Sequence, residues 1–591
     1  MKVIVDIMYT QVDFLGNTLL REKVQAMMHI KMGIKEDSAF HSPSYKAGHW
    51  DGIVDFYDKK EDKFLTGLLP QFMEGMRALK DQYPMLAYEI EDVRPPQIMH
   101  HDSMDEAIVL GNGDEEPITL RPYQYNAVKK ALESQVQILN LATNAGKTEC
   151  ASGIMQQLMP YVKRGERLAF FCNSKEIFHQ GAERVRKRLN LKEKDIGKIG
   201  DGKFDIKNKK IVFVMIPTLA SALKDPKKGV SFTPKERVIK FIAEEITPKF
   251  RNTVNTRQLI RNYLKNCNLD TRVWKDSEEQ LMYIAYDQRF TDKGAQMQLN
   301  KYVVEFDKIM EKKNKKKYKK FKEVKEFMES VRVAIQDEAH EINGATVFDT
   351  MTQLPNAQYR IALTGTVDQK NKMLWQRMQC VYGSDLFKVS NEYLIGQGVS
   401  SKPVIRMIPI TEPKDIELVG NYLEAYKKGI SENDERNRII AQTASWYLRN
   451  RPGGVLISVN HIEHGERIQK ILKEEFGFDS DFTHGSLDME DRDEYLRRFS
   501  TKESRVLIAS SILDQGVDIK SIGMLLMSGG NKSLRQNLQR IGRGLRLNGI
   551  DGNTVLVFDF YDMTNKHLLS HSKERLKIYQ NESFDVRMLG E

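Results

Sequence analysis

The chain has 591 residues, 40% of them hydrophobic, and 91 Lys and Arg against 81 Asp and Glu give a net charge of +10. That length exceeds the roughly 250–300 residues at which single cores stop growing, so several domains are expected, and the basic excess suits a polyanionic partner. Cys150, Cys172, Cys267 and Cys380 lie far apart without C-x-x-C spacing, no run approaches the ~20 apolar residues that span a bilayer, and Met1–Thr10 lacks the core and cleavage site of a signal peptide. Disulfide, iron–sulfur and structural zinc frameworks are therefore not expected, nor is a membrane span, and the protein reads as soluble and cytoplasmic.

Residues 1–105 read as a small α+β domain, with strands expected at Val3–Ile7 and Ile53–Tyr57. From 106 to 395, apolar runs at Val136–Asn140, Arg167–Cys172, Lys210–Ile216, Arg332–Gln336 and Tyr359–Leu363 alternate with amphipathic stretches. Continuous aliphatic and β-branched runs spaced by helices indicate a buried parallel sheet. The spacing breaks over 225–330, a charged segment with helical patterning whose run Glu311–Lys325 holds nine Lys and two Glu. That run is a solvated helix face, a flexible tract or a clamp for duplex nucleic acid. A second alternating series fills 396–591, with runs at Gly454–Val459, Arg505–Ala509, Met524–Met527 and Thr554–Asp559 before a terminal helix. Two doubly wound modules in tandem are the expected architecture.

The run Val136–Asn140 leads into Leu-Ala-Thr-Asn-Ala-Gly-Lys-Thr (141–148), and a helix is expected from Thr148 to Met159, ended by Pro160. A strand, a tight loop and a helix N-terminus point backbone N–H groups and the helix dipole at phosphate. In that setting Asn144, Ala145, Gly146 and Lys147 would cradle the β- and γ-phosphates, and the Thr148 hydroxyl would reach Mg²⁺. Leu141 stands where the full pattern has glycine. Arg332–Gln336 is followed by Asp337-Glu338-Ala339-His340. Adjacent carboxylates at the end of a buried strand are costly unless a cation meets them. Asp337 suits a Mg²⁺ ligand and Glu338 the group that deprotonates the attacking water; an acid-rich helix start is the alternative.

The tetrapeptide at 337–340 resembles the second motif of the superfamily 2 helicases, and further segments follow that family's order. Leu120–Gln124 resembles its adenine-recognition segment, with Arg121 and Gln124 as nucleotide contacts. Asn173, Ser174 and Lys175, then Thr218, occupy the places of strand-contacting loops. Thr364-Gly365-Thr366 looks like the motif that couples hydrolysis to movement, with His340 as its partner across the interface. In the second module Ser458, His484, Gly485, Ser510 and Ser511 match strand-contact positions, although a lone histidine such as His484 is commonly structural. Gly516-Val517-Asp518 resembles the fifth motif, while Gln539, Arg540, Arg543 and Arg546 match the sixth.

The resemblance implies two tandem RecA-like domains that use ATP and Mg²⁺, with Gln539, Arg543 and Arg546 completing catalysis and the two arginines acting as fingers when the modules close. Tyr45-Lys-Ala-Gly48-His-Trp50-Asp51-Gly52, with Phe56 and Tyr57, is similar to the N-terminal domain of the UvsW family of phage recombination and repair helicases, and Val557–Asp562 through Tyr579 to its C-terminal end. Gly48 and Gly52 read as turn residues and Trp50 as a packing aromatic. That family implies a motor that unwinds or branch-migrates forked and junction DNA and acts on RNA–DNA loops, in the host cytoplasm if phage-encoded; the sequence leaves the oligomeric state open, with a monomer favoured. The alternatives are a duplex translocase that separates no strands, an RNA helicase, or a non-hydrolysing nucleic-acid-binding protein of the same fold.

Overall fold

A computed structural model of the chain describes residues 1–37, 39–111, 116–224, 315, 317–510, 522–530 and 554–590. The chain divides into two compact units, one made of Met1–Thr218 and Glu329–Glu591, the other of Leu219–Met328. Of the second unit, residues 317–328 are helical, with Lys317, Lys319, Lys320, Lys322 and Lys325 exposed. Residues 225–314, which include the start of the lysine-rich run, and residue 316 lie outside the described residues.

Three larger sheets build the first unit. In the N-terminal domain, β1 (Lys2–Val5) and β2 (Tyr9–Asp13) pair antiparallel with Val3 opposite Val12, and their alternating burial marks one packed face. α1 (Thr18–Met32) starts where the Asn17 side chain accepts the Leu20 N–H at 2.9 Å, and turns Val24, Met28 and Met32 inward. β3 (Tyr57–Asp58), β4 (Lys63–Leu65), α2 (Leu69–Gln82) and β5 (Glu89–Asp92) complete the domain, with strand order β3-β4-β2-β1-β5. The expected strand Val3–Ile7 ends at Val5. The expected strand Ile53–Tyr57 is divided, because Ile53–Val54 pairs with Ile34–Lys35 while Tyr57 joins the main sheet. Asp55 makes the break: its carboxylate accepts the Tyr57 N–H at 3.1 Å and meets His29 at 2.8 Å and Lys59 at 3.0 Å. Trp50 is half-buried and donates from Nε1 to the Ile53 carbonyl at 2.7 Å, which agrees with a packing role.

The second sheet has eight strands. In chain order its elements are α3 (Pro122–Ser134), β6 (Val136–Leu141), α4 (Lys147–Leu158), β7 (Arg167–Cys172), α5 (Lys175–Arg188), β8 (Ile196–Gly200), β9 (Lys203–Asp205), β10 (Ile211–Met215), β11 (Val331–Gln336), α6 (Ala345–Met351), β12 (Tyr359–Thr364), α7 (Lys372–Tyr382) and β13 (Leu386–Val389). The order is β9-β8-β10-β7-β11-β12-β6-β13, parallel throughout except for the β8–β9 hairpin. Helices cover both faces, so β10 and β12 are buried along their whole length and read as unbroken apolar runs. Strand β12 lies between β6 and β11, pairing Asn140 with Thr364 and Gln336 with Ala362. The loops that leave β6, β12 and β11 therefore meet at one edge, where α/β sheets bind their ligands.

The third sheet is parallel and has seven strands. Its elements are β14 (Lys402–Ile410), α8 (Asp434–Asn450), β15 (Gly454–Ser458), α9 (Ile462–Glu474), β16 (Asp481–Thr483), α10 (Met489–Ser500), β17 (Val506–Ala509), β18 (Ile522–Met527), β19 (Thr554–Asp562), α11 (Lys566–Asn581) and β20 (Asp585–Met588). The order is β16-β17-β15-β18-β19-β14-β20. Two fully buried arginines tie helices to the end of β19: Arg436 of α8 donates to Asp562 and Arg575 of α11 to Asp559, each at 2.8 Å. Removing either partner would leave a buried charge uncompensated.

The N-terminal domain packs on the first of these modules. Gln71 of α2 exchanges hydrogen bonds with Gln376 of α7 at 3.0 and 2.9 Å and donates to Gln379 at 3.0 Å. Phe56 meets Phe348 of α6 edge-on, with ring centres 6.2 Å apart. Gly67 lies against the end of α7, where a Cβ would fall on the Gln379 carbonyl oxygen and 2.6 Å from that of Cys380. Only glycine lets the two backbones come this close.

Candidate active site

The phosphate loop is set up by its two ends. Leu141 still belongs to β6 and pairs with Val389, so the position that usually carries glycine is ordinary extended backbone filled by a buried side chain. The turn is made later, where Asn144 (φ 74°) and Gly146 (φ 82°) adopt the left-handed conformation that asparagine tolerates and glycine favours. At Gly146 space decides as well: a Cβ would overlap Gln124 Nε2 and stand 3.1 Å from Glu149 Oε2. Helix α4 begins at Lys147 and ends at Leu158, one residue earlier at each end than expected. Glu149 in its first turn is buried and held by Arg184 at 2.7 Å.

Gln124 is at the third position of α3 and buried. Its Oε1 accepts the Arg121 N–H and its Nε2 donates to the Ala145 carbonyl, both at 2.9 Å. In this geometry Gln124 buttresses the phosphate loop, and reading a base would require it to release one of these partners. Arg121 is exposed, with Nη1 donating to the Tyr123 hydroxyl at 3.4 Å.

Lys147 and the acidic pair meet across the edge. Lys147 Nζ donates to Glu338 Oε1 at 2.8 Å and lies 3.8 Å from Asp337 Oδ1. Asp337 is fixed by its own N–H, which donates to the Phe171 carbonyl at 2.9 Å, while its Oδ1 accepts the Glu338 N–H at 2.9 Å. Burial pushes the Asp337 carboxyl up to about 6, against the pull of Lys147 and helped by Glu338. A carboxyl raised in this way disfavours the folded chain when it ionises at neutral pH. In its ionised form the buried Asp337 carboxylate is stabilised by a nearby cation, as it is by Lys147, and an oxygen donor of this kind suits a divalent cation. Among the described residues no group of three or more His, Cys, Asp and Glu could hold a metal ion. No described helix is long and apolar enough to cross a membrane.

His340 points back under this pocket. It is buried, with Nδ1 3.0 Å from Thr364 Oγ1 and 3.4 Å from Glu338 Oε2. Thr364 Oγ1 gives its own proton to the Thr366 carbonyl at 2.8 Å, so it accepts from His340 Nδ1. The expected partnership across an interface is thus made inside the first module, because β12 lies beside β11.

The expected strand contacts fare differently. Ser174 caps α5, its Oγ accepting the Ile177 N–H at 3.2 Å; Lys175 is exposed and pairs with Asp201 of the β8–β9 turn at 2.9 Å; Asn173 donates to Glu341. Thr218 is half-buried and sits in the helix Ile216–Ala222 rather than in a loop. Ser458 ends β15 with its side chain fully buried. The more exposed polar residue there is Asn460, whose Nδ2 donates to the Gly529 carbonyl at 2.6 Å. Ser510 is also buried, with its N–H given to the Thr483 carbonyl at 3.1 Å. His484 packs beside Phe482, ring centres 4.9 Å apart, and exposed Gly485 offers its carbonyl to Arg492 at 2.7 Å. Ser511, Gly516, Val517, Asp518, Gln539, Arg540, Arg543 and Arg546 lie outside the described residues.

Two family models match these modules: "Type III restriction enzyme, res subunit" over residues 117–369 and "Helicase conserved C-terminal domain" over 435–548. The chain belongs to the ATP-dependent helicases of superfamily 2. This helicase is 33% identical over 135 residues to the ATP-dependent helicase Lhr-Core protein 2 of Thermococcus barophilus, a match covering 21% of this chain and 16% of that one. It is 23% identical over 248 residues to the DNA 3'-5' translocase XPB2 of Sulfurisphaera tokodaii, covering 36% of this chain and 55% of the relative. The helicase thus spans about half or less of the length of these curated relatives. Among solved structures, bacteriophage T4 UvsW aligns over 99% of this chain and 98% of its own, at 17% identity and a TM-score of 0.39.

Proposed function

We propose that this helicase is an ATP-driven DNA motor that unwinds or branch-migrates forked and junction DNA, including RNA–DNA loops. The observation that carries the reading is the meeting of Lys147 with Asp337 and Glu338 at the strand edge, with His340 and Thr364 behind them. The relative described as a DNA 3'-5' translocase and the Tyr45–Gly52 segment favour DNA over RNA.

The chain's own groups supply the chemistry. Lys147 leaves Glu338 for the β- and γ-phosphates, which the N–H groups of Asn144–Thr148 receive at the start of α4. Released from Lys147, Glu338 takes a proton from water as the water oxygen attacks the γ-phosphorus and the bond to the β–γ bridging oxygen breaks, leaving ADP and phosphate. Mg²⁺ held by Thr148 and Asp337 would neutralise phosphate charge. Arg543 and Arg546, with Gln539, complete the γ-phosphate environment in this reading, while Gly516 and Asp518 face the nucleotide. Asn173, Ser174, Lys175, Thr218, His484, Gly485, Ser510 and Ser511 grip the strand backbone, independent of base sequence. Residues 1–105 serve branched substrates, 106–395 form the ATP-binding module with its insertion at 225–330, and 396–591 form the second module.

ATPase stimulation and strand separation, measured side by side on single-stranded DNA, forks, four-way junctions, RNA duplexes and RNA–DNA loops, test the reading. Greatest turnover and branch movement on junctions and forks is expected. Stimulation by RNA duplexes alone would replace it with an RNA helicase, and translocation without strand separation with a duplex translocase.

A further inference from the structure

One turn of chain joins the hydrolysis pocket to the expected strand grip. Residues Ala339–Asn343 form a short 3-10 turn directly after Glu338, and the Glu341 N–H donates to the Glu338 carbonyl at 2.9 Å. His340 points from this turn toward Thr364 and the pocket. Glu341 points elsewhere: its Oε2 accepts a hydrogen bond from Asn173 Nδ2, at the end of β7. Asn173 Oδ1 is buried without a hydrogen-bond partner. Turning the amide over would set that oxygen against the carboxylate, so the pairing fixes the amide with its donor side toward Glu341.

We propose that Glu341 is a positioning residue that holds Asn173 off the nucleic-acid strand until the state of the ATP pocket changes. The inference rests on the reading of Asn173 as a strand contact given above. In the resting arrangement one donor of the Asn173 amide is spent on a carboxylate that itself repels phosphate. When Lys147 turns to the nucleotide and Glu338 shifts, the backbone bond between Glu338 and Glu341 carries the shift into the turn. The Glu341 carboxylate then withdraws and the Asn173 amide turns its donors to a phosphate oxygen. Pocket and grip are coupled within one module, through a single residue that touches neither ligand.

The test compares single-stranded DNA affinity of the full-length protein with ADP–BeF₃ and without nucleotide. In coupled sites such a ratio is about 5- to 150-fold, and Glu341→Ala brings it to about one by tightening the nucleotide-free complex. Glu341→Gln keeps an acceptor for Asn173 and preserves most of the ratio, which a general loss of folding would not. Asp201→Asn, which alters the partner that Lys175 shares with His179 and leaves Asn173 and Glu341 untouched, changes affinity in both states and leaves the ratio in place. A wild-type protein that binds no DNA would sink the functional reading itself. A wild-type ratio retained in a folded Glu341→Ala variant overturns the role of Glu341 alone.

Discussion

Removing the Lys147 ammonium exposes how the pocket is balanced. Lys147 and Glu338 are each 19% exposed and 2.8 Å apart, and Asp337, 11% exposed, is 3.8 Å from the same nitrogen. At an effective dielectric near 20 the raw attractions are about 6 and 4 kcal/mol, offset by desolvation and by repulsion between the carboxylates. Deleting one partner of a fully buried pair costs about 3–5 kcal/mol, so Lys147→Ala in these slightly wetter surroundings should cost about 2–3 kcal/mol. Glu338→Gln in the same chain removes one of the stranded charges, and the double variant should recover about 1–2 kcal/mol of that loss. Native-state hydrogen exchange of β6 and β11 amides, without ligand, reads the module directly. Both single variants and the double variant should lack ATP turnover. A Lys147→Ala module within about 0.5 kcal/mol of wild type, or strictly additive losses, would show that the ammonium does not balance these carboxylates.

Other variants probe neighbouring features. Gly146→Ala combines left-handed strain with overlap on Gln124 and should weaken nucleotide binding about tenfold or more, as measured by titration with a fluorescent ATP analogue. Thr364→Val removes the oxygen that accepts from His340 and donates to Thr366; basal ATPase should persist while strand separation per ATP falls about tenfold, in single-turnover unwinding against phosphate release. Gly67→Val should loosen the N-terminal domain, seen as faster proteolytic cleavage between residues 92 and 106 with ATPase retained, whereas unchanged cleavage would mean the contact does not hold the domain. Changing Lys317, Lys319, Lys320 and Lys322 to Gln should flatten the salt dependence of DNA binding, and an unaltered slope would assign them to a solvated face.

The elements that were legible share a reason. β6, β7, β11 and β12 are buried on both faces, so their sequences are unbroken apolar runs, and the two motifs that follow β6 and β11 sit at the edge where such sheets bind ligands. β14 was not legible although it is nine residues long and pairs over its whole length with β19, because Pro403 and Pro409 lie within it. The division of Ile53–Tyr57 depends on the pairing of Asp55 with His29, and the seat of the N-terminal domain on glutamines some 300 positions apart, as between Gln71 and Gln376. Neither leaves a local trace. Ser458 matched a motif position, but motif position does not report that a strand end is covered. Glu341 follows the acidic box directly, so its place beside the pocket is readable, whereas its pairing with Asn173, 168 positions away, is not.

The seating of Gly67 on the end of α7 has a mechanical corollary. An attachment without room for one methyl group allows little rocking, so the N-terminal domain has to travel with the lobe that carries the phosphate loop. It rides on α6 and α7, which begin shortly after the acidic box and the Thr364–Thr366 turn. In the proposed motor, anything held by residues 1–105 would be carried with the phosphate loop, like a load fixed to the piston rather than to the cylinder.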